Sequence, residues 1–215
     1  MKNIILLGKP GSGKGTISKA LESKGYTVLS GSEILRENSR SPDAKYYKEA
    51  RHALDSGILI SSDLINLMVS EKINQIGKDG KFVFDGYPRT IDQVNHLFTL
   101  FPKEEFFTLL IDIDDETLES RVLNRLTCKG CSASFNSLTM RPVVEGVCDH
   151  CDGELYQRVD DNEETLQRRL DQYESNTYPI VSLLQSNTAF SQVPYDSLHR
   201  FWNSFRRFWS CDAVN

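Results

Sequence analysis

Three groups of side chains in this 215-residue chain have types and spacings suited to chemistry. The first is Gly8-Lys9-Pro10-Gly11-Ser12-Gly13-Lys14-Gly15-Thr16. Its glycines let backbone N–H groups turn inward around a phosphate. A helix opening after it would add the positive end of its dipole, and Lys14 adds a point charge. The pattern G-x-x-x-x-G-K-[ST] is shifted by one place, with Gly15 where Ser or Thr is usual and Thr16 next. The second group is arginine: Arg36, Arg89, Arg121, Arg125, Arg158 and Arg169 stand in polar contexts. Guanidinium forks hold phosphate oxygens in pairs, which a lysine does not. The third is Cys128-x-x-Cys131 and Cys148-x-x-Cys151, separated by sixteen residues. That spacing fits a zinc ion closed by four thiolates, with no open position and so a structural role. His150 is a rival ligand, and Cys211 stands apart as a thiol with no expected role.

The elements that must position these groups alternate. Lys2 to Leu7 reads as an apolar strand, Gly8 to Gly15 as a turn and Thr16 to Ser23 as a helix: strand, phosphate loop, helix. Tyr26 to Leu29 reads as a second strand. Glu33 to Arg36 and Tyr46 to Leu54 have helical spacing, and Gly57 closes that region. Asp63 starts a helix with Leu64, Leu67 and Met68 on one face. Lys81 to Phe84 is a strand ending at Asp85, and Phe106 to Ile113 is another. Thr117 to Leu126 reads as a helix bearing Arg121 and Arg125 on one face at i, i+4. Glu163 to Tyr173 is helical with Asn162 as cap. Alternating strands and helices predict an α/β fold, a parallel sheet with helices on both faces. The cysteine segment is too long for a plain loop and must carry a small fold of its own. Leu198 to Trp209, with Phe201, Phe205 and Phe208 at helical spacing, reads as a final helix packed on the core.

Composition excludes several classes. Twenty-five Lys and Arg against 30 Asp and Glu give a net charge of −5, far from the basic balance of a dedicated nucleic-acid binder. Between Cys128 and Cys151, Lys129 and Arg141 are matched by Glu145 and Asp149, which disfavours a nucleic-acid-binding zinc ribbon. With 39% hydrophobic residues the chain can bury a core. No apolar run reaches the roughly 18 residues of a membrane helix, and Ile4 to Leu7 is too short for a signal segment. The expectation is a monomeric cytoplasmic protein that binds neither nucleic acid nor membrane.

G-x-P-G-S-G-K-G-T resembles the phosphate loop of nucleoside monophosphate kinases, adenylate kinases in particular. Asp85-Gly86-Tyr87-Pro88-Arg89-Thr90 with Gln93 resembles that family's D-G-[FY]-P-R-T-x-x-Q. Arg158-Val159-Asp160-Asp161 with Arg169 resembles its R-x-D-D-…-R. Ser30 to Leu35-Arg36 and Arg121-x-x-x-Arg125 fit in the same order. The whole is similar to a long-form adenylate kinase with a zinc-bearing lid, and the resemblance runs to about residue 180.

The resemblance implies a phosphate-loop nucleoside monophosphate kinase fold that transfers a phosphoryl group from Mg-ATP to AMP, giving two ADP. It implies a core of residues 1–29, 61–121 and 161–215, a monophosphate lobe of 30–60 and a zinc lid of 122–160. Gly11, Ser12, Gly13, Lys14, Gly15 and Thr16 would cradle the ATP phosphates. Arg121 and Arg125 would contact ATP, and Ser134 and Phe135 its base or ribose. Gly31, Arg36, Gly86, Tyr87, Pro88 and Arg89 would hold AMP, with Ile58, Leu59, Ile60 and Gln93 toward its base and ribose. Arg158 and Arg169 would bridge both nucleotides, with Lys14, Arg89 and Arg125 sharing the catalytic role. Asp85 would order water on Mg²⁺. A kinase for UMP or CMP is the alternative, and a zinc-ribbon binding module a more distant one.

The chain departs from the family pattern in three places. Gly31-Ser32-Glu33 replaces Thr-Gly-Asp, so the hydroxyl that meets the AMP base is missing, and Gly31→Thr is expected to lower the KM for AMP. Phe135-Asn136 replaces Tyr-His in the lid. The loop that meets the ATP adenine is not recognisable within Val193 to Leu198.

Overall fold

The computed structural model describes residues 3–198. A five-stranded parallel sheet runs in the order β2-β3-β1-β4-β8. Its strands are β1 (Asn3–Gly8), β2 (Thr27–Ser30), β3 (Phe82–Asp85), β4 (Phe106–Asp112) and β8 (Ala189–Pro194). β1 is buried at every position, as befits a central parallel strand covered on both faces. Alternate residues feed two cores. Ile5 and Leu7 join Phe82, Phe84, Phe101 and Phe106 on one side, while Ile4 and Leu6 join Ile17, Leu21 and Ile111 on the other. The four phenylalanine rings lie 5.6–6.3 Å apart in tilted and edge contacts, which favour aromatic packing.

Helices α1 (Lys14–Glu22), α4 (Ser62–Ile76), α5 (Ile91–Leu100), α6 (Asp115–Leu123), α7 (Glu163–Gln172) and α8 (Ile180–Asn187) connect and cover these strands. Helices α2 (Gly31–Asn38) and α3 (Tyr47–Ser56) form an excursion between β2 and α4. Starts follow cap chemistry: Ser30, Thr90, Asp114 and Asn162 each accept a bond from the backbone N–H three residues on. Between α6 and α7 the chain builds a separate antiparallel sheet in the order β6-β5-β7, from β5 (Arg125–Cys128), β6 (Ser134–Asn136) and β7 (Leu155–Tyr156). Its core is Cys128, Ala133, Phe135, Cys148 and Leu155, with Leu126 against them.

Two expectations need correction. The helix read as Thr117 to Leu126 ends at Leu123, and Arg125 opens β5, so Arg121 and Arg125 do not share a helix face. Pairing of Arg125 with Asn136, and of Leu126 with Phe135, takes these residues from the helix. In α4 the buried face is Ile65, Met68, Val69 and Ile73, and Leu67 points outward at 46% exposure. The aromatic stretch after Leu198, and Cys211, lie outside the described residues. No described helix is long and apolar enough to cross a membrane.

Candidate active site

In the sheet order, β1 lies between β3 and β4, so the connections leaving β1 and β4 diverge there, and ligands of open α/β sheets bind at the strand ends beside such a point. The loop Gly8–Gly13 occupies that place. Gly13 caps α1 at φ 99°, a left-handed conformation suited to glycine. At Gly11 a β-carbon would run into Val122. The Lys14 ammonium donates to the carbonyls of Gly8 (2.6 Å) and Lys9 (2.8 Å). Burial pulls its pKa down to about 8; Asp85 opposes the shift, while Arg89 and Arg125 add to it. Lys14 therefore has Asp85, Arg89 and Arg125 as charged neighbours beside the phosphate loop. Ser12 is fully buried, and its hydroxyl lies 3.3 Å from the same ammonium. Asp85 closes β3 and accepts a bond from Ser18 Oγ at 3.2 Å.

The arginines converge from separate elements. Arg89 Nε donates to Gly86 O at 2.9 Å, and burial with Arg169 nearby lowers its pKa. Arg158 donates to Thr127 Oγ1 at 3.1 Å, and its pKa falls through burial, then through Arg125 and Arg36. Asp161 receives two bonds from Arg125, one of them 2.8 Å long, and Asp160 receives one from Arg169. Like charges this close together call for an anion to neutralise them. Two carboxylates aim two of the cations, Arg125 and Arg169, without cancelling the set. Arg36 pairs with Glu33 at 3.1 Å on the rim.

Other residues take places that the sequence did not suggest. Gln93 is only 3% exposed, and its Oε1 accepts the Arg89 N–H at 2.7 Å, so it braces the arginine's backbone. Tyr87 and Pro88 are buried, with Tyr87 Oη donating to Asn66 Oδ1 at 2.7 Å; they form the floor beneath Arg89. Phe135, 5% exposed, turns into the small cysteine core, so its ring is not presented to a ligand; Ser134 beside it is exposed. Asn136 accepts the N–H groups of Leu138 and Thr139 at 2.9 Å and shapes that turn. Ile58 is exposed, with Leu59 and Ile60 half-buried on the segment after α3. Sequence reading missed Tyr195. It follows β8, its ring lies 4.3 Å from the Arg121 guanidinium, its hydroxyl accepts a bond from that group, and Arg121 Nε donates to Gly11 O at 3.2 Å. The signal, a lone tyrosine after a proline, acquires meaning only once β8 is placed beside β4.

Gly31 also needs correction. Its φ is not positive, yet a β-carbon there would sit 2.8 Å from the backbone oxygen of Gly86. We therefore expect Gly31→Thr to push α2 away from the Asp85–Arg89 turn, costing about 1–3 kcal/mol of stability, lowering the melting temperature and raising the KM for AMP. Thermal melts and steady-state kinetics on this variant test the reversal, and a stable protein with lower KM would refute it.

The four cysteine sulfurs lie within 4.8 Å of one another. A tetrahedral ion with Zn–S bonds of about 2.3 Å spaces its sulfurs by about 3.8 Å, so the cluster fits such an ion. Backbone N–H groups of Cys131 and Gly130 point at Cys128 Sγ, and the former leads in pulling that thiol down to about 6. His150 is outside the group and faces Phe135.

The parallel sheet, its phosphate loop and an arginine-lined cleft over the strand ends define a phosphate-loop protein built to hold more than one phosphate chain. The family model for adenylate kinase matches residues 6–189. An adenylate kinase of Thermosipho melanesiensis is 37% identical, covering 88% of this chain and 90% of its own. One of Caldicellulosiruptor bescii is 38% identical over 83% and 84%, and one of Clostridioides difficile 37% over 90% and 91%. The chain belongs to the adenylate kinase family.

Proposed function

We propose that the protein catalyses reversible phosphoryl transfer from Mg-ATP to AMP, giving two ADP. The observation that carries this reading is a chain of neighbouring cations that begins at the phosphate loop: Arg89 and Arg125 beside Lys14, Arg169 beside Arg89, and Arg158 beside Arg125 and Arg36. One triphosphate needs fewer cations than this. Two phosphate chains held in line for transfer need this many.

Residues 11–16 cradle the donor phosphates, with Lys14 released from its two carbonyls to the β- and γ-groups. Arg36 and Arg89 hold the acceptor phosphate. Arg125 and Arg169, aimed by Asp161 and Asp160, and Arg158, held by Thr127, take the charge that develops on the transferred group. Asp85 would hold Mg²⁺ through water, and the ion would supply further charge neutralisation when bound. Arg121 and Tyr195 flank the donor base, and Ser134 contacts its ribose. The segment 58–60 borders the acceptor base. Residues 30–60 move as the acceptor lobe and 122–160 as a zinc-bearing lid whose closure keeps water from the donor. No general base is required. The protein acts as a monomer in a reducing, cytoplasmic compartment, where the four thiolates persist.

A panel of ATP with AMP, CMP, UMP and GMP, assayed for diphosphate, tests the reading. Strong preference for AMP is expected. Preference for UMP or CMP would move the activity to another monophosphate, and no transfer at all would reject kinase chemistry.

A further inference from the structure

The C-terminal end of α3 is held by α7. α3 closes at Gly57, whose φ of 64° is left-handed, and the last carbonyls of a helix need donors from outside it. Here the donors are side chains of a distant segment. Arg168 Nη1 donates to Ser56 O at 2.7 Å and Gln172 Nε2 to Gly57 O at 3.3 Å. Thr165 Cγ2 would lie 3.7 Å from a β-carbon on Gly57, so one face of α7 follows the end of α3. Glu164 fixes the Arg168 fork one turn earlier at 2.9 Å. A cation at a helix C-terminus also meets the negative end of its dipole.

α7 carries Arg169 next in sequence, rotated by about 100° on the helix and bonded to Asp160. Asp161, beside it, holds Arg125 at the foot of the small sheet. A path of bonds thus runs from the end of α3 through Arg168 and α7 to Arg169 and, by way of Asp160 and Asp161, to Arg125. The α2–α3 excursion is also tied to α4, by the ion pairs Lys45–Glu71 at 2.6 Å and Lys72–Glu37 at 2.8 Å and by the Tyr46 hydroxyl donating to Glu71, while Ile34 and Tyr46 pack in the main core.

We propose that α7 couples the two nucleotide sites, and that Arg168 is the positioning residue through which the acceptor lobe acts. The inference rests on the functional reading above. Drawing the acceptor lobe in would move the end of α3, hence α7, and bring Arg169 toward the geometry the donor requires, without contact between Arg168 and either nucleotide.

The test is calorimetric titration of AMP with and without a non-hydrolysable ATP analogue. Wild-type protein should bind AMP about fivefold or more tightly with the analogue present. In Arg168→Met, which keeps the aliphatic stem, that ratio should approach one while the analogue alone binds as in wild type. Arg168→Lys, still able to donate to Ser56 O, should restore most of it. Gln172→Met should reduce the ratio in the same direction and decides the matter if Arg168→Met melts early. Wild-type coupling retained in both methionine variants, or a ratio of one in the wild type, overturns the proposal. Failure of the wild type to bind or phosphorylate AMP would instead overturn the functional reading.

Discussion

Lys14→Ala is expected to lower kcat about a hundredfold or more, by analogy with removing one preorganised donor from a site where charge develops. Arg89→Ala should do the same. Both groups are partly withdrawn from solvent, and burial lowers the pKa of each, so an ion there acts on a phosphate more strongly than in open water. Both meet charge that shifts during transfer, so their loss should appear in kcat and not only in KM. Neither supports the core: Lys14 bonds to loop carbonyls, and Arg89 to Gly86 O. The melting curve should therefore move little. Either variant retaining half of the wild-type kcat would remove that residue from the mechanism.

The same lysine sets a pH dependence. Its pKa in the free protein is about 8 against an ordinary 10.5, because burial disfavours the ammonium. Between these values the unfolded chain binds more protons than the folded one, so this group's contribution makes stability rise with pH across that window. Donor phosphates restore the ammonium, so donor binding takes up a proton above about pH 8. The KM for ATP should thus climb from pH 8 to 9.5 in wild type and stay flatter in Lys14→Arg. A flat wild-type profile would show that another group carries the phosphate contact.

What was legible in the sequence was chemistry confined to short contiguous stretches. Residues 8–16 fold back on themselves, so strand, loop and helix follow from local spacing alone. The cysteine pairs were equally clear, since each C-x-x-C is a single turn. Arg125 was misplaced because i, i+4 spacing carries no information on where a helix stops. Asn124 leaves the helix at ψ 14°, and β6, ten residues on, recruits Arg125 into a sheet. The neighbours of Gln93 and Gly31 lie outside their own stretches, at Arg89 N and Gly86 O, so local spacing did not give them. Tyr195 and Arg168 meet partners 74 and 112 residues away, and only the assembled sheet brings them together.

Purified protein is expected to carry about one zinc ion per chain, and Cys148→Ser to lose it. The small sheet has only five buried side chains at its centre, two of them cysteines, so without the ion too little apolar surface is removed from water to hold three short strands. β7 has two residues and β6 three; such strands do not persist without a cross-link. The binding free energy of a structural zinc ion, about 10–16 kcal/mol in isolated zinc-finger peptides, is of the size needed to fold such a unit. The parallel sheet makes its own core and should survive. Hydrogen exchange in Cys148→Ser should therefore rise sharply across residues 126–156 while β1, β3 and β4 stay protected, and a separate, earlier melting step should appear. Activity should suffer through displacement: Arg158 is tied to Thr127, next to Cys128, so a loosened sheet releases an arginine from the cleft. The KM for ATP and the KM for AMP should both rise, because the arginine released is one of the two expected to bridge both nucleotides. Elemental analysis finding no metal in protein prepared without chelator would reject the site. Uniform loss of protection over the whole chain would reject the independence of the small sheet from the core.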